Sequence, residues 1–156
     1  MNNKSFMQQA IDLALEKMSD HQGGPFGALI VKNGQIIGRG WNKVTSSKDP
    51  TAHAEITAIR DACKNEDDFS LEGCELYVNC EPCPMCLAAA YWAGIKTIYY
   101  AATRKDAAAI GFADDHIYEE FSRPVENRTI PMVQMMRDEN KPVFAAWDLM
   151  EDKTPY

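Results

Sequence analysis

No unbroken apolar run long enough to cross a membrane occurs in this 156-residue sequence. Its opening, Met1-Asn2-Asn3-Lys4, leads into an amphipathic pattern, so neither a membrane span nor a secretion signal is expected. Positive charge is scarce: 16 Lys and Arg stand against 23 Asp and Glu, a net charge of −7 at pH 7. Broad nucleic-acid binding needs a basic surface, and this balance argues against it. Cysteine is too sparse for a disulfide scaffold. Five are present, an odd number, which fits free thiols in a reducing cytosol and a cytoplasmic location. Repeats, low-complexity tracts and linkers are also missing. The length suits one domain over residues 1–156, large enough to bury a real core.

What is present concentrates in two stretches, His53-Ala54-Glu55 and Pro82-Cys83-Pro84-Met85-Cys86. Two thiolates and an imidazole suit a catalytic zinc, which takes three protein ligands and keeps a fourth position for water. Glu55 is then a spare carboxylate beside that water, better left free to move protons than used as a ligand. Pro82 predicts a helix start that sets Cys83 and Cys86 one turn apart on one face. Asp49-Pro50-Thr51 predicts a second helix start just before His53. Residues i and i+2 do not share a helix face, so His53 and Glu55 can meet one site only if it lies off the helix end. The site is expected where two helix N-termini converge, and their positive ends favour thiolate. Taken singly, a Cys-x-x-C pair is often a structural zinc knuckle or a redox pair, and a His-x-Glu is usually two helix residues. Cys80 also raises an iron–sulfur alternative, but such clusters usually take four cysteines. Cys63 and Cys74 have no matching spacing.

The remaining pattern predicts an α/β fold. Ser5 caps a first helix whose buried stripe is Met7, Ile11, Ala14, Leu15 and Met18. Phe26 to Lys32 and Gln35 to Trp41 form a hairpin about Asn33-Gly34. A helix from Pro50 to about Glu66, a strand over Leu76 to Asn79, a helix from Pro82 to Ala93 and a strand over Lys96 to Ala101 follow. That last strand is apolar enough to be covered on both faces. Val44 to Lys48 reads as surface loop. Short helices over Arg104 to Ala109 and Ile117 to Phe121, a fifth strand over Ile130 to Met136 and a closing helix from Pro142 to Met150 complete the chain. A three-layer α/β/α sandwich on a mixed, about five-stranded sheet accommodates these elements. Asn42 follows the second strand into the loop that feeds His53 and can line a pocket floor. Phe26 offers a flat apolar surface for a ring.

The chain resembles the cytidine-deaminase-like zinc hydrolases over essentially its whole length. The resemblance rests on Trp41-Asn42, on Asp49-Pro50-Thr51-Ala52-His53-Ala54-Glu55 and on Cys80-Glu81-Pro82-Cys83-Pro84-Met85-Cys86. These motifs are similar in tRNA adenosine deaminases. Gly23-Gly24-Pro25-Phe26-Gly27-Ala28, Gly111-Phe112 with Asp114 and Ile117-Tyr118, and the terminal Tyr156 are similar to the short bacterial guanine deaminases. A tRNA enzyme would carry a basic C-terminal helix, and here that region is acidic. The resemblance implies one Zn²⁺ per subunit on His53, Cys83 and Cys86, with Glu55 as proton shuttle. It implies a purine base as substrate, hydrogen-bonded by Asn42 and Asp114 and flanked by Phe26 and Trp92. Tyr156 would close the pocket, and a homodimer would exchange C-terminal segments from about residue 103 to 156. The implied reaction is hydrolysis of guanine to xanthine and ammonia. Other nucleobase or nucleoside deaminations, of cytosine or of adenosine in tRNA, are alternatives. A non-catalytic zinc-stabilised binding module is another, and it predicts Cys80 as a fourth ligand closing the metal shell.

Overall fold

The computed structural model describes residues 2–156, which divide into two compact units between Asp114 and Asp115. The first unit is built on a four-stranded sheet. Strand β1 (Gly27–Lys32) pairs antiparallel with β2 (Gln35–Trp41) through a turn in which Asn33 and Gly34 both have positive φ, 51° and 77°. Two successive positive φ angles match the twist of a tight hairpin, and Asn-Gly supplies them at low cost. Strand β3 (Glu75–Cys80) pairs antiparallel with the other side of β1, and β4 (Thr97–Ala102) pairs parallel with β3, giving the order β2-β1-β3-β4.

Helix α1 (Asn3–Ser19) covers one face of the sheet. Phe6 and Ala10 pack there with Leu29, Val31 and Tyr77. Helix α3 (Ala54–Glu66) covers the other, where Ala54, Ala58 and Ala62 meet Ala28, Ile30, Leu76 and Val78. The alternation along β1 is the physical basis of the layers, since successive side chains point to opposite faces. A single turn, α2 (Val44–Ser47), precedes α3; α4 (Pro84–Trp92) links β3 to β4, and α5 (Arg104–Ala109) follows β4. The mixed α/β sandwich is therefore present.

Several local expectations are corrected. The cap of α1 is Asn2, whose side chain accepts from the Ser5 amide at 3.0 Å; Ser5 itself lies inside the helix. The buried stripe is Phe6, Ala10 and Ala14, while Ile11, Leu15 and Met18 are exposed. The reason is a close approach: a Cβ on Gly27 would stand 2.4 Å from the Ala10 carbonyl oxygen and 2.8 Å from the Ala14 nitrogen. Only a small-residue face fits there. Strand β4 is partly exposed and forms an edge of the sheet, so its apolar run does not mark a strand covered on both faces. Helix α3 begins at Ala54, not Pro50. Asp49 instead accepts from the Thr51 amide and hydroxyl at 2.8 and 2.7 Å, closing a local turn that competes with helix.

The second unit holds α6 (Asp115–Ser122), a 3₁₀ turn at Val125–Asn127 and α7 (Arg137–Leu149). The expected fifth strand over Ile130 to Met136 is not formed; this exposed segment has no partner strand among the described residues, and apolar composition alone does not make a strand. Pro142 lies inside α7 and does not begin it. No residue of 115–156 is buried.

Candidate metal centre

Strands β2, β3 and β4 run in one direction, because β1 is antiparallel to the first two and β4 parallel to β3. A helix that follows each such strand therefore starts at the same end of the sheet, where open α/β sheets place their ligands. The loop after β2 leads into α3, and Glu81-Pro82-Cys83 leads directly from β3 into α4. His53 is the N-cap residue of α3 and Cys83 the N-cap residue of α4, with near-identical backbone angles of φ −68°, ψ 160° and φ −68°, ψ 168°. Neither side chain caps its own helix, so both are available to the space between the two tips. Pro84 occupies the first position of α4, where its fixed φ and missing N–H cost nothing. Cys86 follows on the first turn, fully buried.

The three donors converge. One ligand atom each from His53, Cys83 and Cys86 falls within 4.8 Å of the others, and the Cys83 sulfur is 3.5 Å from His53 Nδ1. The Cys86 thiol and the His53 ring hold the Cys83 thiol down to about 4, against the effect of burial. Cys83 is thus a thiolate at neutral pH, the form a metal requires. The His53 ring is raised in turn, chiefly by Cys83. Cys86 is raised, first by its hydrogen bond to Cys83 and then by burial, so the two thiols share the proton that a metal would displace. Soft sulfur with one imidazole is a donor set that fits zinc.

Glu55 is the second residue of α3 and only 6% exposed. Burial raises its pKa, against the opposing pull of its own backbone amide and, more weakly, of Cys86 and His53. Cys80 takes no part in the donor group. Its thiol points to the Thr103 carbonyl oxygen at 3.7 Å, and burial together with the nearby Glu55 charge pushes it up to about 11. The direction of the thiol and its place outside the donor cluster disfavour Cys80 as a fourth ligand.

Asn42 is buried at 6% exposure beside this centre, since Lys43 donates its amide to the Ala52 carbonyl and Thr57 Oγ1 reaches the Trp41 carbonyl. Its Oδ1 accepts from the amides of Gly24 and Val44, both at 3.2 Å. Two donors facing one atom fix the carboxamide's orientation. The oxygen is committed, so Asn42 offers a ligand its N–H₂ donors and not, as its residue type allows, both donor and acceptor. Phe26 is half-buried, and its ring meets Phe112 edge-to-face at 5.0 Å and 88°. Asp114 follows on the same loop, its Oδ1 3.9 Å from Arg104; Asp115 is exposed and opens α6. Trp92 closes α4 at the opposite end from Cys83, about 13.5 Å away at 1.5 Å per residue, and is 75% exposed. Tyr156 lies in the second unit and is exposed. The contacts of Phe112, Glu81 and Arg104 were not predicted; Glu81 stands inside the cysteine motif, and the other two carried no spacing signal.

The fold and this donor set define a zinc-dependent deaminase class, and sequence comparison agrees. The chain belongs to the family described as the cytidine and deoxycytidylate deaminase zinc-binding region, whose model matches residues 1–102. It is 51% identical over 156 residues to the guanine deaminase of Bacillus subtilis, covering 100% of both chains. The crystal structure of that guanine deaminase superposes with a TM-score of 0.97, covering 100% of this chain and 99% of the other. A tRNA-specific adenosine deaminase from Aquifex aeolicus is 49% identical over 81 residues, 52% of this chain and 54% of that protein. The Nitrosomonas europaea guanine deaminase structure matches at 32% identity and a TM-score of 0.69, over 72% of this chain and 65% of the other.

Proposed function

We propose that this protein catalyses the zinc-dependent hydrolytic deamination of a free purine base, guanine to xanthine and ammonia. The observation that carries this reading is the three-donor cluster of His53, Cys83 and Cys86 with the buried Glu55 carboxylate outside the donor set. Full-length similarity to a guanine deaminase supports the choice of substrate. Nucleophilic water at neutral pH is the chemistry a zinc supplies there when bound, by lowering the pKa of that water to about 7. Glu55 accepts a proton from the attacking water and delivers it to ring N3 as the water oxygen bonds to C2; it then takes the remaining hydroxyl proton and passes it to the amine, so that C2=O forms as the C2–N bond breaks. One water enters and one ammonia departs. Burial suits Glu55 to this work, because a raised pKa makes the carboxylate a better proton acceptor. Asn42 donates to an acceptor on the ring, Asp114 accepts from ring N–H groups, and Phe26 packs against its face.

The active assembly in this reading is a cytoplasmic homodimer that exchanges its C-terminal segment, with Tyr156 closing the partner's pocket. The support is that residues 115–156 bury no side chain, although they carry Ile130, Val133, Phe144 and Leu149. No helix among the described residues is long and apolar enough to cross a membrane. The test is ammonia release from guanine, cytosine, adenine, guanosine and tRNA, each with and without a zinc chelator. Chelator-sensitive release from guanine alone is the expected result; release from tRNA alone would assign the chain to the adenosine reaction. Sedimentation of the intact protein reads the dimer, and removal of Thr154 to Tyr156 should depress turnover more than thermal stability.

A further inference from the structure

The residue ahead of the cysteine helix is tied to the loop that carries Asp114. Glu81 accepts from the main-chain amide of Arg104 at 3.0 Å, and its other oxygen lies 3.4 Å from the Nε of that arginine. Its own amide donates to the Ala102 carbonyl at 2.8 Å. Arg104 begins α5, and the preceding Thr103 closes a reciprocal cap with Asp106 at 2.8 to 3.3 Å. Backbone and side chain of Arg104 are both fixed, and its Nη1 faces Asp114 Oδ1 at 3.9 Å.

From this chain of contacts the structure assigns Arg104 as a positioning residue, clamped by Glu81, that holds the Asp114 carboxylate in place for the ring N–H groups of the substrate. An exposed arginine–carboxylate pair is usually worth little, because two long side chains must be frozen to form it. That cost does not arise afresh here, since Glu81 has already frozen the guanidinium from its other side. Both partners are also screened from water, at 32% and 16% side-chain exposure. Glu81 sits two residues before Cys83, so the clamp sets the substrate-facing carboxylate at a fixed offset from the helix tip that carries the metal donors. Such an offset is what orientation of a bound ring requires, because misplacement by about 1 Å can cost a hundredfold in rate.

The assignment rests on the reading of Asp114 as a ligand contact, and the experiment separates the two. Arg104→Ala, Arg104→Lys, Asp114→Ala and the Arg104→Ala/Asp114→Ala double variant are compared for KM and kcat on guanine, with zinc content and thermal midpoint measured on each. Arg104→Ala and Asp114→Ala should each raise KM by about tenfold with zinc retained, and the double variant should be no worse than Asp114→Ala alone. Arg104→Lys should recover part of the loss. Should Arg104→Ala fold poorly, Glu81→Gln loosens the clamp while leaving the arginine, and it should raise KM in the same way. Multiplying effects in the double variant, or an unchanged KM in both Arg104→Ala and Glu81→Gln while Asp114→Ala is impaired, overturns the assignment alone. An unchanged KM in Asp114→Ala overturns the ligand reading and the assignment with it.

Discussion

His53 Nδ1 and the Cys83 sulfur, brought from two different helices, stand 3.5 Å apart, and each belongs to the N-cap residue of its helix. This one contact joins the halves of the site. It is set by a sheet in which β2 and β3 run the same way and launch their helices from the same end. The backbone therefore aligns the donors, with Cys83 held as a thiolate by its neighbours.

Cys80 distinguishes a catalytic from a structural metal site. Its thiol is directed to the Thr103 carbonyl oxygen and lies outside the donor cluster. Cys80→Ser is expected to keep its zinc and its fold, while Cys83→Ser or Cys86→Ser loses zinc. Atomic absorption on the purified variants checks this; loss of metal in Cys80→Ser would point to a closed Cys₃His shell.

Asn42 gives a prediction of sign. In Asn42→Asp one oxygen still accepts from Gly24 and Val44, and the other replaces an N–H₂ donor with an acceptor. Acceptor then faces acceptor in a buried site. Asn42→Asp should lower kcat/KM for guanine by about a hundredfold or more, beyond the loss in Asn42→Ala, since an unpaired buried polar group discriminates more strongly than a missing one. Steady-state kinetics on the two variants decide it, and an aspartate variant better than the alanine variant would reverse the orientation assigned here.

Gly40 sets the height of the His53 helix above the sheet. A Cβ at this position would come within 2.2 Å of the Ala54 carbonyl oxygen and the Ala58 nitrogen, both backbone atoms that cannot swing aside. Gly40→Ala should cost about 3 kcal/mol or more, as overpacking against main chain does, and should weaken zinc binding because α3 must lift at its first turn. Denaturant midpoints and zinc titration measure the two effects. A variant with unchanged midpoint would show that the helix is free to shift.

The site was more legible than the frame that carries it. Residue type and spacing single out His53, Glu55, Cys83 and Cys86, and the structure brings the His53, Cys83 and Cys86 donor atoms together where two helices begin. The Asn33-Gly34 hairpin was equally plain, because backbone chemistry dictates it locally. On α1 the expected stripe holds at Met7 and Ala14 but not at Ile11, Leu15 and Met18, because the close approach of Gly27 to Ala10 and Ala14 turns a different face to the sheet. The start of α3 departs from the cap that Asp49-Pro50-Thr51 predicts, because the Asp49 side chain closes a local turn instead. The Glu81 to Arg104 clamp and the Phe26 to Phe112 contact join residues far apart in the chain by tertiary packing, and no periodicity announces them.

The central claim is that Glu55 moves protons for hydrolysis of guanine at a zinc held by three side chains. Its most direct test is xanthine formation from guanine by the wild-type and Glu55→Gln proteins at equal zinc content. The account predicts turnover by the wild type and a loss of about 10²-fold to 10⁴-fold in the variant, the range that general acid–base catalysis contributes. Equal xanthine formation by both proteins, or none by the zinc-loaded wild type, would contradict it.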